Sequence, residues 1–315
     1  MSKDIKQKRL FSEKKVTRKT FEELLEEYLR YSKALNRSEY TIKAYKYHSK
    51  YFLEFIGKNF LCEDIDIHLI EEYLLYLRDK KGLTNGTTLN SYIRNLSPII
   101  KYGYRKGYIY SDFEFPTVEE QEKVKEIYTA EELDKLLEKP KSRNFVEIRT
   151  WAMIVTFSST GIRLRELREL KIKNVNMIDR TITLNDTKNK KSRILPISTA
   201  LMEALQDYFE YRGGESEEYL FCNVFGEKIS QTAVQKSIKD YNLKRGVNKY
   251  SIHLFRHTFI TNAVNQNVSP LILKKITGHT TMKELNRYYN ASPRDIVNII
   301  DDIAPKPTKK KKFFK

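Results

Sequence analysis

Breaking a phosphodiester without a metal takes a nucleophile, fixed positive charge on the non-bridging oxygens, a base for the attacking hydroxyl and an acid for the leaving oxygen. The second half of the sequence carries side chains of each kind, in the order Arg163, Lys188, His253, Arg256, His279 and Tyr288. Arg163 stands in Thr160-Gly161-Ile162-Arg163-Leu164-Arg165-Glu166-Leu167, where Gly161 marks the end of one helix and the start of the next. A guanidinium at such a break can fork onto a phosphate, although an arginine beside a helix start is ordinarily a surface ion pair.

Lys188 lies in the polar run Asp186-Thr187-Lys188-Asn189-Lys190-Lys191-Ser192-Arg193 between two β-like segments. Such a run is usually a solvated turn; on a hairpin facing DNA it places an ammonium near the minor groove, able to protonate a leaving oxygen. His253, Arg256 and His257 share a helix, and helical geometry puts Arg256 on the same face as His253. The spacing of His253 and His257 invites a zinc reading, but Leu254 and Phe255 stand where a zinc-protease helix needs Glu after its first His, so no metal is expected. A core histidine bonded between helices is the plainer alternative. The chain has 21 tyrosines, most of them packing residues. Tyr288 and Tyr289 are adjacent, so on a helix they point ~100° apart and only one can face a given site.

These side chains need a scaffold, and the sequence patterns lay one out. Phe21, Leu24, Leu25, Tyr28 and Leu29 recur at helical spacing behind a Thr20–Glu23 capping box. Further helices are expected from Ser38 to Gly57, from Ile67 to Lys80 before Gly82, and from Thr87 to Lys106 between Asn85-Gly86 and Gly107. The pattern lapses between Ser111 and Ile127, which reads as a linker. Beyond it a helix starts at Thr129, capped with Glu132, and another carries the apolar run Trp151 to Phe157. Three short strands follow, around Ile172 and Val175, Thr181 to Leu184, and Ile194 to Ile197. Helices resume over 199–211, 232–241, 254–266, 270–277 and 293–303. The last of these has an apolar stripe of Ile296, Ile299, Ile300 and Ile303, suited to packing on its own domain or on a neighbour's. No internal repeat is visible.

Composition narrows the partners. The 315 residues make roughly two ordinary domains. With 58 Lys and Arg against 41 Asp and Glu, the formal charge of +17 draws the chain to polyanions, nucleic acid first among them. The basic lead over residues 1–19 has eight Lys or Arg against two acids and reads as an arm; residues 305–315 form a basic tail. Cys62 and Cys222 have no CxxC spacing, so neither a disulfide scaffold nor structural zinc is indicated. No apolar run approaches the ~20 residues of a membrane span, and no secretory signal opens the chain. A cytoplasmic location is expected.

The order of the motifs is more informative than any one of them: Thr-Gly-x-Arg-x-x-Glu-Leu, a lysine-bearing hairpin, His-x-x-Arg-His, Gly-His, then Tyr nine residues later. That ordered set resembles the tyrosine recombinase family of phage integrases and Xer-type resolvases. The resemblance implies a mainly α protein: a SAM-like four-helix core-binding domain over 20–110, the linker 111–127, and a mixed α+β catalytic domain over 128–304 with a small three-stranded antiparallel sheet. It also implies roles. Arg163 and Arg256 clamp the scissile phosphate, His253 assists proton removal from the nucleophile, and His279 donates to the phosphate. Glu166 supports the site. Lys188 matches the first lysine of the family's Gly-Lys-Gly-x-Lys-x-Arg hairpin and is the implied general acid. Thr187 and Asn189 replace that pattern's glycines, which leaves Lys190 or Lys191 as alternatives. Tyr288 matches the nucleophile, leaving a 3′-phosphotyrosyl bond and a free 5′-hydroxyl; Tyr289 is its rival, and Asn286-Arg287-Tyr288 fits the family's Arg-Tyr ending without a gap.

The activity so implied is site-specific DNA recombination by cleavage and rejoining, without cofactor, metal or ATP. Its partners are double-stranded DNA and further protomers, as a homotetramer on two DNA sites or with a paralogous recombinase, and accessory proteins stay open. A type IB topoisomerase-like relaxing enzyme shares the chemistry without strand exchange. A non-cleaving architectural DNA-binding protein is the alternative of a different class.

Overall fold

The computed structural model describes residues 18–120, 126–185, 192–278, 281–282 and 285. The chain divides into two units, Met1–Lys123 and Val124–Lys315.

The first unit is built from α1 (Phe21–Ala34), α2 (Glu39–Ile56), α3 (Ile67–Asp79) and α4 (Gly86–Lys106). Each begins on a side chain that accepts from a backbone N–H of the first turn: Thr20, Ser38, Asp66 and Asn85. In α1 the Glu23 carboxylate returns the bond to the Thr20 N–H, completing the capping box read from the sequence. The apolar faces meet in an aromatic core. Phe52 takes Phe21 edge-on at 4.8 Å between ring centres and Tyr73 at 5.0 Å, geometries that favour the ring quadrupoles.

The segment expected to be a linker joins this unit in part. Phe113, Phe115 and Val118 pack on its core. The Asn90 amide donates to the Val118 carbonyl (2.9 Å) and to Glu120 Oε1 (2.8 Å), and its oxygen accepts the Val118 N–H (2.9 Å). Gly86 lets the backbone pass, since a Cβ there would sit 2.3 Å from the Glu119 carbonyl oxygen.

In the second unit the helices α5 (Ala130–Leu137), α6 (Phe145–Thr160), α7 (Leu164–Glu169), α8 (Thr199–Arg212), α9 (Gln231–Lys244), α10 (Ile252–Asn265) and α11 (Pro270–Thr277) accompany a three-stranded sheet. Helix α6 is buried on almost every face and packs against α5, α8, α9 and α10, which explains why its sequence is apolar all round rather than striped. Tyr128 stacks on Phe255 of α10 at 4.4 Å, and its N–H donates to Thr258 Oγ1. That pair ties the entry of the unit to the helix bearing Arg256.

Strands β1 (Val175–Asn176), β2 (Thr181–Asn185) and β3 (Ser192–Pro196) are antiparallel in sequence order, with Thr181 opposite Pro196 and Asn185 opposite Ser192. The first strand is shorter than expected. Ile172–Asn174 forms a 3-10 turn, because Asn174 Oδ1 accepts the Lys171 N–H and the N–H groups of Ile172 and Lys173 bond to the Glu218 and Ser216 carbonyls.

Candidate active site

The turn between α6 and α7 is the first fixed point. Helix α6 stops at Gly161, which adopts φ +61° and ψ +23°, and Arg163 is the N-cap of α7. Glu166, three residues on, accepts the Arg163 N–H at Oε2 (2.8 Å) and Arg163 Nη1 at Oε1 (3.0 Å). The helix break read from Gly161 therefore fixes the root of the Arg163 side chain.

The second fixed point is the C-terminal end of α11. The last carbonyls of a helix lack partners within it and carry the negative end of the helix dipole, so they favour cations. Here three successive carbonyls each accept from a different arginine: Ile276 from Arg193 Nε (3.1 Å), Thr277 from Arg256 Nη2 (2.7 Å) and Gly278 from Arg163 Nη2 (2.7 Å). Arg256 also donates Nη1 to the Gly161 carbonyl (2.6 Å), bridging the two fixed points. Arg163 and Arg256, distant in the chain, thus converge on the same turn and the same helix end.

Their environments differ. Arg256 is 8% exposed, whereas the Arg163 side chain is 39% exposed, with two of its five N–H groups engaged among the described residues. His253 lies exposed in the first turn of α10. The shared helical face expected of His253 and Arg256 does not give them one environment, because the helix buries the arginine and leaves the histidine at its rim. Among the described residues no three His, Cys, Asp or Glu side chains group as metal ligands.

Arg193 is a member of this cluster that sequence reading passed over. It sits on β3 and donates Nη1 to Glu166 Oε1 and Nη2 to Glu166 Oε2, both at 2.8 Å, the paired fork that suits a carboxylate. Burial works against ionisation of Glu166, but the hydrogen bonds and charge of Arg193, then the Arg163 N–H and charge, outweigh it and hold the carboxyl below its ordinary value. The available signal was the closing arginine of the family's hairpin pattern, which Arg193 matches. Lys188, with Lys190 and Lys191, and His279, Tyr288 and Tyr289 lie outside the described residues, as does the Ile296–Ile303 stripe.

Both units have relatives among known proteins. Residues 126–294 match the phage integrase family, and residues 19–119 match the phage integrase SAM-like domain. The tyrosine recombinase XerD of Staphylococcus aureus is 27% identical over 301 residues, spanning 90% of this chain and 99% of the relative. Among solved structures, the Tn1549 transposon integrase in complex with transposon right end DNA shares the fold at a TM-score of 0.71 and 19% identity, covering 91% of this chain and all of that one (100%). The XerH site-specific recombinase bound to a palindromic difH substrate does so at 0.67 and 21%, over 88% of this chain and 82% of that one.

Proposed function

Because this chain belongs to the phage integrase family, we propose that it is a site-specific DNA recombinase that cleaves and rejoins duplex DNA through a 3′-phosphotyrosyl intermediate. The observation that carries the reading is the convergence of Arg163 and Arg256 on Gly161 and on the final carbonyls of α11. Two guanidinium groups from separate helices, held at one place by backbone, are what a pentavalent phosphorane with extra negative charge requires.

In the proposed reaction the Tyr288 hydroxyl oxygen attacks phosphorus and its proton passes to His253. The bond from phosphorus to the 5′ oxygen breaks, and Lys188 protonates the departing alkoxide. His279 donates to a non-bridging oxygen alongside the two arginines. The new phosphotyrosyl ester keeps the energy of the broken bond, so a 5′-hydroxyl from another strand reverses the step without ATP. We assign residues 20–110 to core-site binding and 128–304 to catalysis, with the basic segments 1–19 and 305–315 adding phosphate contacts that weaken steeply with salt. Strand exchange places protomers of this chain, or of a paralogue, as a tetramer on two DNA sites. Among the described residues no helix is long and apolar enough to cross a membrane, and we place the activity in the cytoplasm.

The test uses a nicked suicide duplex built on the sequence the protein selects from random DNA. A denaturant-resistant protein–DNA adduct is expected, lost in Tyr288→Phe and kept in Tyr289→Phe. Loss in Tyr289→Phe alone moves the nucleophile by one residue. Adducts without exchange between two sites favour a relaxing enzyme, and no adduct on a tightly bound site leaves a non-cleaving DNA-binding protein.

A further inference from the structure

Resting on the recombinase reading, we propose that Arg193 is a positioning residue that keeps Arg163 available to the phosphate by occupying Glu166. The geometry is one of competition. Glu166 Oε1 is shared between Arg163 Nη1 (3.0 Å) and Arg193 Nη1 (2.8 Å), and Oε2 between the Arg163 N–H (2.8 Å) and Arg193 Nη2 (2.8 Å). The carboxylate is largely buried, at 17% side-chain exposure, and a buried carboxylate takes the nearest cation it can find. With Arg193 forked onto it, Arg163 gives that carboxylate one guanidinium nitrogen besides its backbone N–H and keeps other donors for a substrate. Without Arg193, Glu166 has Arg163 as its remaining cationic partner among the described residues and draws it into a two-toothed ion pair.

Arg193 itself is poorly placed to touch substrate. Each of its three nitrogens is engaged, two on Glu166 and Nε on the Ile276 carbonyl, and its side chain is 15% exposed. It also lies flat against Gly278, where a Cβ would come within 2.7 Å of Nη1. The absence of a side chain at Gly278 is therefore part of what seats the Arg193 fork. Since Arg193 belongs to β3, the device connects the sheet, α7 and the end of α11 through one carboxylate.

The experiment compares the wild-type chain with Arg193→Ala, Glu166→Gln and the double variant. The probe is a nicked duplex of the selected sequence with either an ordinary phosphate or a methylphosphonate at the cleaved position. Adduct formation is followed under single-turnover conditions, with duplex affinity and melting temperature measured alongside. Arg193→Ala is expected to slow adduct formation on the order of tenfold or more while duplex affinity stays within about twofold. Two results distinguish positioning from general damage. The slowing shrinks on the methylphosphonate duplex, which presents less charge for Arg163 to offset, and the double variant recovers toward wild type because the competing carboxylate is gone. Equal slowing on both duplexes, a double variant slower than either single one, or no slowing at all overturns the proposal. Where Arg193→Ala does not fold, Arg193→Lys, which keeps a charge without the fork, carries the same comparison. Absence of any wild-type adduct refutes the recombinase reading itself, whatever the Arg193 variants do.

Discussion

Gly161 occupies the turn on which the candidate site is built, and Gly161→Ala should be costly for two separable reasons. Its φ of +61° is a left-handed conformation that costs an L-residue about 1 kcal/mol or slightly more. In addition, a Cβ at this position would stand 2.6 Å from Cδ1 of Phe259 and 3.3 Å from two further ring atoms, so the ring or α10 must move. Overpacking of that kind costs about 1–3 kcal/mol, giving a total of about 2–4 kcal/mol. Gly246, in the same unit, is the control: its φ is +71° and nothing lies within 4 Å of the added Cβ, so Gly246→Ala should cost the backbone part alone, about 1 kcal/mol. The chain's one tryptophan, Trp151, is buried in α6 with Nε1 donating to the Leu137 carbonyl, so its fluorescence follows unfolding of this unit. At roughly 3 °C per kcal/mol for a unit of this size, the two melting temperatures should fall by about 6–12 °C and about 3 °C respectively. Phe259→Leu placed in the Gly161→Ala background should regain part of the difference. If the two alanine variants melt together, Phe259 yields freely, and the argument that Gly161 is where α10 closes on the Arg163 turn is wrong.

The pH dependence of stability carries a second expectation. The folded carboxyl of Glu166 titrates below its ordinary value of 4.5, so its contribution is complete above that pH and is lost as pH falls through the lower folded value. Glu166→Gln should therefore melt lower than wild type at pH 7, with the gap narrowing in acid; a gap that widens in acid contradicts the sign. For the segment after α4, Asn90→Ala removes three hydrogen bonds to Val118 and Glu120. Cleavage by a Glu-specific protease at Glu119 and Glu120 should then rise on the order of tenfold or more, whereas an unchanged rate means the aromatic contacts of Phe113 and Phe115 hold the segment unaided.

What the sequence made legible was local. Helix starts were readable because a cap and the N–H it accepts lie within three residues, as at Thr20, Ser38 and Thr129. Gly161 was readable as a break because a helix end commonly needs a left-handed residue. The rest depended on partners far along the chain. Phe113 and Phe115 show no helical or strand period, and their docking depends on Asn90 in α4, so the segment read as a free linker. Ile172 carries a strand-like residue type, yet its N–H is claimed by Glu218 in a distant loop. A helical wheel correctly placed His253 and Arg256 on one helix but contains nothing about which side the protein covers. Arg193 was hidden for the same reason. Its fork onto Glu166 joins residues 27 apart, and the hairpin pattern that Arg193 closes marks its position without naming the distant carboxylate it turns to.

The acceptors chosen for these arginines also bear on function. A carboxylate partner satisfies a guanidinium and cancels its charge, whereas a backbone carbonyl satisfies donors and leaves the charge in place. Arg256 donates to the carbonyls of Gly161 and Thr277, so backbone fixes its orientation twice. Arg163 rests partly on the Gly278 carbonyl and shares Glu166 with Arg193. The end of α11 thus receives three guanidinium groups on successive carbonyls, where its dipole favours their positive charge. In the proposed reaction, positive charge held rigidly before substrate arrives needs little reorganisation as negative charge grows on the phosphate, which is the condition under which electrostatic stabilisation accelerates a reaction most. Replacing Arg256 by lysine should for that reason be far from conservative. An ammonium keeps the charge but cannot span the carbonyls of Gly161 and Thr277 with two rigidly spaced nitrogens, so DNA affinity should hold while adduct formation falls.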